Sequence, residues 1–116
     1  MDEEVLNDIL ATDGKIRYVG ILNEDLNEVM SRTRKDVNAL IGREEADDRL
    51  VKLAAPVILG ALSQMANKCG KLICSGARFD GITLMFFKMG EKFVVVSTDP
   101  GPPYPIMKKL EEKCQV

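Results

Sequence analysis

Histidine and tryptophan are both missing from the 116 residues. Without histidine the chain lacks the commonest general base, the usual activator of a serine or cysteine nucleophile, and the nitrogen ligand of most zinc sites. Cysteine is scarce: Cys69, Cys74 and Cys114 make an odd set of three without CxxC spacing. That argues against a disulfide framework and a zinc ribbon, and leaves reduced core thiols as the expectation. An excess of positive charge is lacking as well, since 16 Lys and Arg face 18 Asp and Glu for a formal charge of −2. A nucleic-acid binder needs a basic face to release counterions, so nucleic acid is not an expected partner.

Long hydrophobic runs are also absent. The longest uncharged stretch, Leu53 to Asn67, contains Pro56, Ser63 and Gln64 and falls short of the ~18–20 apolar residues that span a bilayer. The opening MDEEVLNDIL carries acids where a signal peptide needs a basic segment. A soluble, cytoplasmic protein with no membrane contact is therefore expected.

What is present is apolar substance: 46% of the residues are hydrophobic, enough for the core of a single domain over residues 1–116. Val5, Leu6, Ile9 and Leu10 follow helical spacing behind Asp2, and Gly14 ends that helix. Lys15 to Asn23 (KIRYVGILN) is rich in strand formers, Asn23-Glu24-Asp25 is turn chemistry, and Leu26 to Arg32 alternates with Leu26, Glu28 and Met30 on one side. The pair reads as a hairpin. After a polar segment with a small apolar knot at Val37, Leu40 and Ile41 comes the longest helical signal, on which Glu45–Arg49 and Asp48–Lys52 are favourable surface pairs. Beyond Cys69-Gly70, which suits a helix C-terminus, KLICSGA, GITLMFFK and KFVVVST are three strand-like runs set apart by Asp80-Gly81 and Met89-Gly90-Glu91. Four prolines then end the sheet, and Ile106, Leu110 and Cys114 mark the inner face of a last helix. The predicted class is α+β: a five-stranded antiparallel sheet flanked by helices in the order α-β-β-α-β-β-β-α.

The central helix carries more apolar surface than one contact uses. Leu50, Leu53, Ala54, Val57, Ile58, Ala61, Leu62 and Met65 form one face, while Ala55, Leu59 and Ala66 extend the apolar surface to a second side. A helix lying on its own sheet needs one stripe. The first stripe is expected on the sheet and the second against another part of the chain, the 33–42 segment, or against another chain, with the small Ala55, Gly60 and Ala66 permitting close approach. Pro56 should kink the helix at the back of the main stripe.

Residues that hint at chemistry are isolated. Gly70-Lys71 and Gly76 resemble pieces of phosphate loops, but no GxxxxGK[ST] exists. Cys69 and Cys74 are two thiols where zinc wants four ligands. The acids Glu44-Glu45 and Asp47-Asp48 point apart on a solvated helix. No catalytic residue, cofactor or metal site is expected. Met85, Phe86, Phe87, Met89 and Phe93 would line a pocket if the domain were a small-ligand sensor, and core packing accounts for the same residues. The prolines around Tyr104 read as a stiff connector rather than a polyproline ligand.

The short first helix, the hairpin around Tyr18-Val19-Gly20-Ile21-Leu22 with its acidic turn, the long central helix, and the segment from Gly90 through Phe93-Val94-Val95-Val96 to Asp99-Pro100-Gly101 together resemble the roadblock family of small domains, within the wider profilin-like class. The likeness runs from about Glu3 to Lys113. It implies a non-catalytic scaffold that dimerises by aligning central helices and pairing third strands edge to edge, and that in some members binds small GTPases or larger assemblies. Carried onto this sequence, the dimer interface is expected at Ala55, Leu59, Leu62, Ala66, Leu72, Cys74 and Gly76, with a second copy or a related chain as partner. The opposite edge, Leu26 to Arg32, is left for a further subunit. Leu59→Glu is then expected to break the dimer. The alternative function is the ligand sensor.

Overall fold

The computed structural model describes residues 2–34 and 44–114, and of residues 44–52 the backbone alone. The elements are α1 (Asp2–Thr12), β1 (Ile16–Leu22), β2 (Glu28–Thr33), α2 (Glu44–Ser63), α3 (Ala66–Cys69), β3 (Cys74–Arg78), β4 (Thr83–Met89), β5 (Lys92–Thr98) and α4 (Tyr104–Cys114). This is the expected α+β order with a one-turn helix added: the central helix stops at Ser63, turns through Gln64-Met65, and resumes as α3, which Gly70 ends by donating its N–H to the Ala66 carbonyl at 2.9 Å. Helix α2 runs without interruption through Pro56. The knot at Val37, Leu40 and Ile41 lies outside the described residues, as do the side chains of Leu50, the 45–49 and 48–52 ion pairs, and the acids at 44, 45, 47 and 48.

The strands form one antiparallel sheet in the order β2-β1-β5-β4-β3. The hairpin β1–β2 and the meander β3–β4–β5 are joined where β1 pairs with β5, which leaves β2 and β3 as the two edges. On one face, α1 and α4 bury Leu6, Ile9, Ile106, Leu110 and Cys114 against Val19, Ile21, Met85, Phe87, Val94 and Val96. On the other, α2 lies over Tyr18, Leu22, Phe86, Phe93 and Val95. Val94, Val95 and Val96 thus divide between two cores, as a central strand covered on both faces requires. An irregularity between Ile16 and Tyr18 lets both residues, two apart in sequence, face opposite sides.

The second strand departs from the expected alternation. Asn23 Oδ1 accepts the N–H groups of Asp25 and Asn27 at 3.0 Å each, and Leu26 takes a positive φ of 65°, so the loop extends to Asn27 and β2 starts at Glu28. A bulge then pairs Ile21 with Met30 but Leu22 with Glu28. The extra residue, Val29, puts Glu28 on the α2 face and Met30 on the α1–α4 face, although the alternating pattern grouped them on one side.

Candidate interaction surface

The two sides of the sheet are closed unequally. Lys92–Asp2 at 3.0 Å and Arg32–Glu3 at 3.6 Å pin down α1, and Lys109–Asp13 at 3.3 Å holds the turn after it. Arg34 adds to this by donating from Nε to the Ile16 carbonyl at 2.7 Å and from Nη2 to the carbonyls of Asp13, at 3.0 Å, and Leu10. On the opposite side, Ala55 and Leu59 are the fully buried residues among the described side chains of α2, with Ile58 packed beside them.

The helix is therefore turned the other way from the sequence expectation. Ala55 and Leu59 sit at 0% exposure against Tyr18, Phe86 and Val95, whereas Leu53 is 65% and Val57 72% exposed. Hydrophobicity around nearly the whole circumference hides this sidedness. The large aromatic side chains of the sheet already fill the space under the helix, so a small alanine and one leucine complete the contact, and the bulkier Leu53 and Val57 point away. Leu53, Val57 and Ala61 make an exposed ladder at four-residue spacing, beside Pro56. The ladder itself is visible in the sequence, but the side it faces is not.

The other expected interface residues fall around this ladder. Leu62 is half-buried, Ala66 is exposed on α3, and Leu72 packs partly against the α2-side core just before β3. Cys74 and Gly76 lie on β3 with Cys74 packed partly against the α1–α4 core, and a side chain at Gly76 would meet the methyl end of Met107 at 3.5 Å. Met65 and Ile73, both about half exposed at 53% and 50%, extend the apolar surface from the helix end to the strand. The outer edge of β3 has no strand partner among the described residues.

The three thiols differ in burial. Cys69 is exposed, contrary to a core location, because α3 turns away from the sheet. Burial raises the Cys74 thiol, with the nearby Glu111 charge adding to it, and pushes the buried Cys114 thiol up to about 11. Both are thereby held in the protonated, poorly nucleophilic form at neutral pH. Met85, Phe86, Phe87 and Phe93 are buried core, and Met89 packs against it. Among the described residues, no helix is long and apolar enough to cross a membrane.

No family model matches the sequence, and no curated protein matches it significantly. Solved structures do. The gliding protein MglB from Thermus thermophilus superposes with a TM-score of 0.72 at 16% identity, covering 97% of this chain and 82% of that one. A structure of MglB in a tetrameric arrangement gives 0.71 at 18% identity, with 96% and 79% covered. A Roadblock/LC7 domain from Streptomyces avermitilis gives 0.70 at 8% identity, with 96% and 89% covered. The chain has the roadblock fold.

Proposed function

We propose that this chain works without chemistry of its own, as a roadblock-type module that pairs with a second copy or a related chain through the outer face of α2 and the open edge of β3. The carrying observation is the exposed apolar ladder of Leu53 and Val57. Such side chains lose roughly 25 cal/mol of favourable burial for each Å² left in water. Monomers rarely keep a contiguous apolar patch without a use for it. Edge strand β3 adds a row of backbone donors and acceptors suited to strand pairing. A helix face and a strand edge side by side would bury ~600–1,000 Å² per chain, the size of a stable interface.

The paired module regulates a small GTPase or serves as a subunit of a larger assembly, with strand β2 as the edge left for that partner. The roadblock fold and its likeness to MglB support this reading. Light scattering on the purified chain at tens of micromolar tests the pairing, and a mass of twice 12.8 kDa is expected. Titration with candidate small GTPases loaded with a GTP analogue or with GDP tests the regulatory role. A regulator binds one nucleotide state at least tenfold more tightly, whereas equal affinity for both, or none for either, counts against it.

A further inference from the structure

Where α2 gives way to α3, the two elements part from the end of the sheet and leave an open cleft of about 660 Å³. Its existence follows from small residues at the rim: Ser63, Ala66 and Gly90 contribute little volume. Gly90 is at φ 64°, a turn conformation that favours glycine. The wall is apolar, formed by Leu72 and the Phe93 ring, with the half-exposed Ile73 at the mouth.

Two cations line this apolar hollow, Lys71 and Lys88. The Lys88 ammonium stands 4.6 Å from the centroid of the Phe93 ring, which holds it at the wall. Among the described residues neither lysine is within ion-pair distance of a carboxylate, and because the Lys88 charge acts on Glu24, Lys71 is the freer of the two. The acid on the rim, Glu91, hydrogen-bonds Glu24 of the neighbouring turn, whose carboxyl also feels the Lys88 charge, so a bound anion competes with these acids for Lys88. The cleft lies within the range of small-molecule sites, which combine an apolar lining with a few polar groups that fix orientation.

We propose that this cleft binds a small amphipathic anion, a carboxylate carried on an apolar chain or ring. The carboxylate sits between Lys71 and Lys88, and the apolar body lies on Leu72 and Phe93. The site is formed within one chain, and Ala66, Leu72 and Ile73 at its rim and wall also belong to the surface proposed above for pairing.

The test is calorimetric titration of the full chain with octanoate, octanol and octylammonium, on wild type, Lys71→Gln, Lys88→Gln and, as a control on α4, Lys108→Gln. Octanoate should bind, with affinity reduced about tenfold in each of the first two variants and unchanged in the third, as expected for charge-assisted contacts. Lys71 is exposed, so Lys71→Gln keeps the test valid if Lys88→Gln lowers the melting temperature. The proposal is overturned if octanoate fails to bind at millimolar concentration, if octanol or octylammonium binds as well as octanoate, or if removing the lysine charges leaves the affinity unchanged.

Discussion

The Tyr18 hydroxyl donates a hydrogen bond to the Glu28 carboxylate across the bare backbone of Gly20, tying β1 to the edge strand β2 on the α2 face of the sheet. A Cβ at position 20 would stand 2.5 Å from Tyr18 Oη and 3.1 Å from Glu28 Oε1. The glycine is there because the tyrosine side chain crosses it. Gly20→Ala should therefore cost about 1–3 kcal/mol in urea unfolding, the usual penalty of overpacking. Tyr18→Phe removes the hydroxyl that meets the new methyl, so the double variant should lose less than the sum of the single losses.

Arg34 gathers the carbonyls of Leu10, Asp13 and Ile16, spanning the end of α1, the turn after it and the start of β1. Helix α1 has no basic residue in its own last turn, so the arginine supplies the cation that the helix C-terminus favours. Arg34→Ala should cost about 2 kcal/mol, in the range for hydrogen bonds to charged groups. Arg34→Lys should recover only part of it, because a compact ammonium does not reproduce the planar fork. Urea midpoints of the three proteins measure both effects.

The turns before β2 and before β5 bring two acids together. A hydrogen bond with Glu91, then its like charge, raises the Glu24 carboxyl above its ordinary value of 4.5. The folded chain accordingly holds an extra proton between pH 4.5 and that raised value, and its stability falls as pH rises through this window. Glu91→Gln should return Glu24 toward 4.5 and flatten that segment of the stability curve. An NMR titration of the Glu24 side chain in both proteins reads the shift directly.

The sheet was legible because strands announce themselves by residue type and by turns: KFVVVST between Gly90-Glu91 and the prolines has no other reading, and Ile106, Leu110 and Cys114 mark one face of α4 cleanly. The start of β2 was not legible, because a left-handed Leu26 and a bulge at Val29 are set by hydrogen bonding to Asn23 and by strand pairing, neither of which shows in periodicity. The sidedness of α2 escaped for another reason. Ala55-Leu59 and Leu53-Val57 are equally apolar stripes on one helix, and the choice between them is made by Tyr18, Phe86 and Val95, which come from three different strands.

That choice is also what the proposed pairing rests on, and one comparison tests it. Val57→Glu and Leu59→Glu place the same charge two residues apart, one on the outer face of α2 and one in the core. Light scattering and thermal melting of both, beside wild type, should show a dimeric wild type and a Val57→Glu chain that is monomeric but fully folded. Leu59→Glu should lose about 4 kcal/mol or more from an unpaired buried charge. A Val57→Glu chain that remains as dimeric as wild type, or a wild type that stays monomeric at hundreds of micromolar, would contradict the account.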